Sequence, residues 1–330
     1  MQKITIATLF ALAAGLAACE AQPTTQTWRV PDEDQAQAEQ FVQEAEAYLE
    51  RGLSDSAMAA FSEALEENPR LLEAHLGMGH IFRGWGEYDL AGRAYERAVE
   101  TDPGSYEANY YLGLARQLVG RVDDAVRHYL RALAINPDGY KASRDLASAY
   151  LQQGRARQAI PYAEQAVEQN PEDQAAWANL AAAYSVAEQW EKAVDAYRQA
   201  LDLGESAPQL LLGLADAHIN LENYQRAEAV LNSLLRQRPN VTAYERLGYI
   251  RFKQGRFDAA LEAYRSALEQ DSDDPASLNG LGVSLMTQYL QGGRENDALR
   301  REAVDAWRRS LKIRPNQPQI VDLLARFSRG

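Results

Sequence analysis

The chain has 330 residues, a formal net charge of −13 at pH 7 and one cysteine, Cys19. The negative charge argues against nucleic acid and anionic lipid surfaces as partners, because both repel an acidic protein. A lone cysteine also excludes a disulfide within the chain.

The first residues have the pattern of a secretory leader. Lys3 gives a positive start, and a mostly apolar run of 13 residues follows at 4–16. This run is too short to span a bilayer, which takes about 20 residues. It ends in Leu-Ala-Ala-Cys at Cys19, which resembles the lipobox of bacterial lipoproteins. The resemblance implies a signal peptide over residues 1–18 and, on Cys19, a diacylglycerol and usually an N-acyl chain such as palmitate. An ordinary cleaved leader with a chance cysteine is the alternative.

The residues after Cys19 bear on the location of the protein. In Gram-negative lipoproteins an Asp at the next position commonly causes retention at the inner membrane, and Glu20 occupies it here. The resemblance therefore favours the outer membrane, with the protein facing the periplasm. The polar, proline-bearing stretch that follows predicts a tether, so that residues 19–37 comprise the lipidated cysteine and its linker. Trp28 in this tether has two open assignments, the first repeat or the lipid interface.

Alanine and proline then recur with a fixed period. The alanines are 34 residues apart, with a last step of 33: Ala57, Ala91, Ala125, Ala159, Ala193, Ala227 and Ala260. The prolines share the period, with Glu205 in the place of one of them: Pro69, Pro103, Pro137, Pro171 and Pro239. A 34-residue period predicts a stack of helix–turn–helix units rather than a single globular core.

Two further positions of the unit are a small and a large side chain. With the proline slot counted as position 32, position 8 is always small: Ala45, Gly79, Gly113, Ala147, Ala181, Ala215, Gly248 and Gly282. Position 24 is large, with Ala163 as the exception: Phe61, Tyr95, Tyr129, Tyr197, Leu231, Tyr264 and Trp307. This pairing lets two antiparallel helices approach closely. The arrangement resembles the tetratricopeptide repeat, in eight copies over residues 38–317. The resemblance implies an all-α fold, an α-solenoid that winds as a right-handed superhelix.

The turns of the unit agree with two helices per repeat. Position 15 is glycine in five units, which suits a left-handed residue at a helix end: Gly52, Gly86, Gly120, Gly154 and Gly255. The second helix should stop at an Asn-Pro or Asp-Pro pair, because the residue before proline avoids the helical region.

The last repeat departs from this pattern. About nine extra residues lie between Leu285 and Ala303, which predicts a longer loop or lengthened helix ends. After Pro318, apolar residues recur at helical spacing. We therefore expect residues 318–330 to form a helix that caps the open face of the stack.

No pattern of catalysis or metal binding is present in the sequence. His75 and His80 are five residues apart on one predicted helix, which does not place them on one face as a metal pair requires. The sequence has no phosphate-binding Gly-Lys pair and no Gly-x-Ser-x-Gly motif. We expect no enzyme activity, no metal and no cofactor.

The family resemblance also implies where a partner binds. In tetratricopeptide repeats, positions 2, 5, 9 and 12 of each first helix line the concave face. The candidate groove residues are Leu76, His80, Arg83, Tyr110, Leu114, Lys141, Arg144, Leu151, Leu212, Asp216, Ile219, Tyr249 and Phe252. Their chemistry predicts a partner segment with apolar anchors and, because Arg83, Lys141 and Arg144 form a basic island, an acidic group near units 2 to 4. Packing between repeats is the alternative role for many of these residues.

The sequence thus predicts an interaction protein rather than an enzyme. It is similar to the repeat lipoproteins that help assemble pili or secretion rings, which implies a membrane-anchored scaffold with a protein or peptide partner. An adaptor that recruits a periplasmic protease or a cell-wall enzyme is the alternative. Residues 32–73 hold twelve acids and two bases, and residues 294–330 hold nine bases and five acids. Solvated helix faces explain this asymmetry, and head-to-tail self-association is the second hypothesis.

Overall fold

The structure is a computed structural model, and it describes residues 31–328. This part of the chain forms 17 helices and no strand. The helices are α1 (Asp32–Glu50), α2 (Ser54–Glu67), α3 (Leu72–Gly84), α4 (Tyr88–Thr101), α5 (Tyr106–Leu118), α6 (Val122–Ile135), α7 (Tyr140–Gln152), α8 (Ala156–Gln169), α9 (Gln174–Val186), α10 (Trp190–Leu203), α11 (Pro208–Asn220), α12 (Tyr224–Gln237), α13 (Val241–Lys253), α14 (Phe257–Gln270), α15 (Pro275–Gln291), α16 (Asp297–Ile313) and α17 (Pro318–Phe327).

The helices pair into eight hairpins followed by a single last helix. From the second hairpin onward, each first helix begins at position 1 of its repeat, and every second helix but the last begins at position 17. Asn68, Asp102 and Asn136 cap the ends of second helices in extended conformations, as the following prolines predict. The predicted all-α solenoid with eight repeats and a final helix is confirmed.

The first helices form the inner side of the stack. Every helix packs against its neighbours in sequence, and from α5 to α15 each first helix also contacts the next first helix. Within residues 31–328 no contact of similar extent joins consecutive second helices. The first helices therefore lie closer together than the second helices, and the stack curves around them.

In most repeats a large side chain at position 24 lies against the small residue at position 8. Tyr264 shows the arrangement: a Cβ added to Gly248 of its own repeat, or to Gly280 of the next, would fall inside normal contact distance of its ring. Tyr129 is fully buried and lies in the same way over Gly113. The predicted pairing of positions 8 and 24 therefore sets how closely the two helices of a repeat approach.

The start of α1 differs from the sequence prediction, and the structure decides between the two alternatives predicted for the eighth repeat. Residues 32–37, which the prediction placed in the tether, belong to α1. Three acids in the first turn, Asp32, Glu33 and Asp34, favour this start because they offset the positive end of the helix dipole. The extra residues of the eighth repeat lengthen both of its helices to 17 residues instead of forming a long loop.

The last helix covers the end of the stack. Ile320 of α17 is buried, and Leu323, Leu324 and Phe327 pack beside it on the residues of α14 to α16. Across residues 31–328, no helix is both long enough and apolar enough to cross a membrane. The predicted signal peptide and Cys19 lie outside the described residues, as does most of the predicted tether.

Candidate protein-binding groove

The predicted groove residues do not form one uniform surface. Leu76 and Tyr110 are buried, and Lys141 and Tyr249 are exposed. The others are half-buried: His80, Arg83, Leu114, Arg144, Leu151, Leu212, Asp216, Ile219 and Phe252. Leu114, Leu151, Leu212, Ile219 and Phe252 also pack against the buried clusters, so packing between repeats accounts for part of each of these side chains.

One of the three cations of the expected basic island, Arg144, is paired with carboxylates of the stack. The Arg144 guanidinium donates to Asp145 at 2.8 Å and to Asp173 at 3.0 Å. Burial lowers the pKa of Arg144, but the two carboxylates raise it by more than burial lowers it. The pKa of Arg144 therefore lies above its usual range. Arg144 is therefore neutralised within the stack, where it ties α7 to the start of α9.

The aromatic residues of units 2 and 3 contact one another within the stack. His80 Nδ1 lies 2.8 Å from the Tyr95 hydroxyl, and the His80 ring meets the Tyr111 ring edge-on at 4.4 Å between centroids. The Arg83 guanidinium lies over Tyr111 at 5.6 Å. Tyr110 donates from its hydroxyl to Asp145 at 2.9 Å. This half of the predicted site is thus largely occupied by internal contacts.

The open part of the groove lies further along, in units 5 to 8. A first cavity of about 530 Å³ has an apolar wall that includes Val186, Trp190, Ile219 and Tyr249. Val186 is 62% exposed and Tyr249 is 37% exposed. Both side chains are available to a partner.

A second cavity adjoins the first. It has a volume of about 670 Å³ and an apolar wall that includes Phe252, Val283, Ile320 and Leu323. Glu245 and Tyr249 line both cavities, so the two form one groove with a shared wall. We call the pair the C-terminal groove. Each volume lies within the range of about 300–1,000 Å³ that is typical of ligand pockets.

A charged group lies in the shared wall of the C-terminal groove. Arg246 donates to Asp216 at 2.6 Å and also pairs with Glu245. Burial raises the pKa of Glu245, and Arg246 offsets part of this effect. Burial lowers the pKa of Arg246, but its two carboxylate partners raise it above its usual range. The group holds two carboxylates and one guanidinium, so it leaves one negative charge for a partner.

Sequence reasoning missed several residues of this groove. Glu245 and Val283 occupy positions 5 and 9 of their repeats, which are groove positions in the same scheme that selects Tyr249 and Phe252. Val186 and Trp190 lie at positions 13 and 17, outside that scheme. Positions 2, 5 and 9 of the fifth unit are alanines, so the larger side chains of this unit that line the groove come from other positions.

Family comparisons agree with the geometry of the stack. Models of the tetratricopeptide repeat match residues 72–105, 105–172, 144–210 and 212–275. The chain belongs to the tetratricopeptide repeat family. Its match covers most of the repeats, including all of α3 to α14. A search of curated protein sequences gives no significant match.

Solved tetratricopeptide structures share the fold. PilF of Pseudomonas aeruginosa is 21% identical, with a TM-score of 0.54 over 63% of this chain and 95% of that one. PilW, a type IV pilus biogenesis factor, is 22% identical, with a TM-score of 0.51 over 60% of this chain and 91% of that one. A tetratricopeptide protein of Parabacteroides merdae is 17% identical, with a TM-score of 0.52 over 76% and 99%. At these identities the likeness concerns the fold alone.

Tetratricopeptide proteins generally bind other proteins and are generally non-catalytic, which agrees with the open groove. Within residues 31–328, no three His, Cys, Asp or Glu side chains come together as a metal site would need.

Proposed function

We propose that this tetratricopeptide protein is a membrane-anchored scaffold that holds a segment of a partner protein in its C-terminal groove. The observation that supports it most is the pair of adjoining cavities with exposed Val186 and Tyr249. Binding energy in protein interfaces concentrates in a few buried aromatic and apolar anchors. Two cavities with a common wall suit a segment that places one apolar anchor in each.

The partner is expected to bear a basic group between its apolar anchors. Glu245 of the shared wall and Asp216 of the first cavity offer two carboxylates against a single Arg246 guanidinium. A partner cation at this wall would complete the pairing, whereas an acidic group would meet net repulsion. The acidic group expected from the sequence concerned units 2 to 4, where Arg144 is already paired.

The anchor in this proposal is a lipid on Cys19. The motif Leu-Ala-Ala-Cys supports it, and Glu20 in place of Asp supports the outer membrane. Two or three acyl chains would hold the protein stably, since each buried CH₂ contributes about 0.8 kcal/mol. Metabolic labelling with palmitate should mark the wild-type chain and not the Cys19→Ser variant. Equal labelling of both would remove the lipid from the proposal.

The pathway we propose is the assembly of an envelope complex of the pilus or secretion type. Its support is the shared fold with PilF and with PilW, which is a pilus biogenesis factor. An adaptor for a periplasmic protease or cell-wall enzyme would use the same groove. The identity of the captured partner separates the two: pilus or secretion subunits support assembly, and hydrolases support the adaptor.

The groove is tested by capture from solubilised membranes with the full chain as bait. The variant Val186→Arg/Tyr249→Ala changes exposed side chains of both cavities, so the stack should still fold. Trp85→Ala is the matched control, because Trp85 is 46% exposed and lines neither cavity. We expect the groove variant to lose the partner and the control to keep it. A partner that both retain equally binds elsewhere, and the proposed groove is then wrong.

A further inference from the structure

The two ends of the stack hold an excess of opposite charges. Residues 32–73 contain twelve acids and two bases. Within residues 31–328, none of these twelve carboxylates makes an ion pair. The repeats between the two ends behave differently, since their carboxylates pair with arginines at many places. The first end of the stack is therefore an uncompensated acidic surface.

The other end offers the matching surface. Five exposed cations of this end make no ion pair within the described residues: Arg308, Arg309, Lys312, Arg314 and Arg326. The backbone carbonyl of Arg314 accepts a hydrogen bond from Gln317, which lines the second cavity of the C-terminal groove. Exposed Lys253 also lines that cavity. Lys253 thus places a cation in the second cavity, and Arg314 lies next to it in the fold through Gln317.

The chain itself contains a segment with the chemistry that this groove requires. Residues 28–30, which lie just before the described part, read Trp-Arg-Val. They place one basic residue between two apolar ones, and the acidic first turn of α1 follows after Pro31. The groove presents the complementary chemistry: Glu245 lies between the two apolar cavities, and Lys253 lines the second one.

We propose that residues 28–34 of one copy dock in the C-terminal groove of a second copy. Trp28 and Val30 enter the apolar cavities, Arg29 pairs at the Glu245 wall, and Asp32 to Asp34 face Lys253 and Arg314. The inference rests on the proposed function, because it assigns an occupant to the same groove. The interface joins two different surfaces, so copies add head to tail into open chains rather than closing as a two-fold dimer.

The segment cannot reach the groove of its own chain. Contacts between helices run in sequence order, so units 2 to 6 separate α1 from unit 7. Each unit adds at least one helix spacing of roughly 8–10 Å. Residues 28–31 span at most roughly 3.5 Å each when fully extended. The occupant is therefore the segment of another copy.

Sedimentation velocity on the pure full chain, in density-matched detergent, tests the proposal. We expect mass to grow with concentration beyond a dimer, and to fall at high salt because the facing charges are screened. Trp28→Ala should weaken association about ten-fold or more, as loss of a central Trp anchor does. Trp85→Ala is the matched control and should leave association unchanged.

A mixing experiment gives a result that misfolding cannot imitate. The Trp28→Ala chain keeps its groove, and the Tyr249→Ala chain keeps its segment, so neither should form chains alone. Mixed in equal amounts, they should form a one-to-one dimer that does not extend. A synthetic peptide of residues 20–34 should compete with that dimer, and a scrambled peptide should not.

Several outcomes would overturn the inference. One is a wild-type chain that stays monomeric at all concentrations. Another is an equal effect of Trp28→Ala and Trp85→Ala on association. The third is a failure of the Trp28→Ala and Tyr249→Ala chains to form a dimer when they are mixed. Failure here leaves the proposed function testable, because capture of a foreign partner is measured separately with the Val186→Arg/Tyr249→Ala variant. A monomeric chain whose groove captures a foreign protein would refute self-association and support the scaffold.

Discussion

At two turns within the repeats, a glutamate holds the backbone conformation that glycine holds in the others. Glu188 and Glu222 have φ of 59° and 57°, whereas Gly86 has φ of 80° at the same position of its repeat. For a residue with a Cβ, this left-handed region costs roughly 1–2 kcal/mol. The packing of the two helices on either side fixes the turn, so the cost is borne without a change of structure.

We predict that Glu188→Gly and Glu222→Gly each stabilise the stack. Relief of the strained conformation outweighs the extra flexibility of glycine in the unfolded chain, so we expect a gain of about 0.5–1 kcal/mol each. Urea denaturation measures the gain. Gly86→Ala is the reverse control: an added Cβ would meet no atom within 4 Å, so its expected loss of about 1 kcal/mol comes from the backbone alone. A loss of stability in either glutamate variant would contradict the prediction.

The sequence predicts the glycine turns but not the two glutamate turns. Gly52, Gly86 and the others indicate a left-handed residue because glycine prefers that role. Glu188 has no such preference, and only its place in the repeat indicates its conformation. Arg144 shows the same limit at the candidate site. Its sequence position predicts a free cation, but its pairing with Asp173 depends on how two helices meet, 29 residues apart in the chain.

At the scale of the helices, the contact between a small and a large residue sets the spacing within most hairpins. In the third repeat, a Cβ added to Gly113 would lie 2.8 Å from the Tyr129 ring and 3.3 Å from the Ala125 carbonyl oxygen. Tyr129 is fully buried and donates to Gln117 at 2.8 Å, so its ring has no room to move aside. Here α5 and α6 can approach closely only because position 8 is glycine.

We predict that Gly113→Ala destabilises the protein by about 1–3 kcal/mol, because overpacking forces the two helices apart. Gly84→Ala is the matched control within a helix. A Cβ added to Gly84 meets no atom within 4 Å, so this variant should be neutral or gain up to about 1 kcal/mol. Thermal denaturation of the two variants should shift in opposite directions. Equal shifts would show that helix propensity, rather than the contact with Tyr129, decides the result.

Repeat periodicity explains why the helices could be predicted more fully than the groove. The 34-residue period fixes the order, pairing and start of the helices, and the small and large positions fix their contacts. The groove depends instead on side chains that differ between repeats. Tyr249 is exposed, whereas Tyr110, at another groove position, is buried and donates a hydrogen bond to Asp145. Such differences follow from neighbours in the adjacent repeat, which the period alone does not specify.

At the scale of the whole molecule, stability is distributed along the stack in overlapping local clusters. The largest extends from Tyr110 to Ala217, through units 3 to 6. A separate cluster joins units 7 and 8 with α17. In such a stack each unit contacts only its neighbours, so a change at one end should not be felt at the other. A globular core would respond as a whole.

Ile320 and its neighbour Val321 give a direct test of this local behaviour. Ile320 of α17 is 7% exposed and packs on the end cluster, whereas Val321, the next residue of the same helix, is 50% exposed. Ile320→Ala should cost about 2–4 kcal/mol, because it leaves a cavity under the cap. Val321→Ala should change stability by no more than about 0.5 kcal/mol.

In amide hydrogen exchange, we expect Ile320→Ala to reduce protection in α15 and α16 by about ten-fold or more while α5 to α10 keep theirs. Loss of protection along the whole stack would mean that the repeats unfold as one cooperative unit, and the local account would then be wrong.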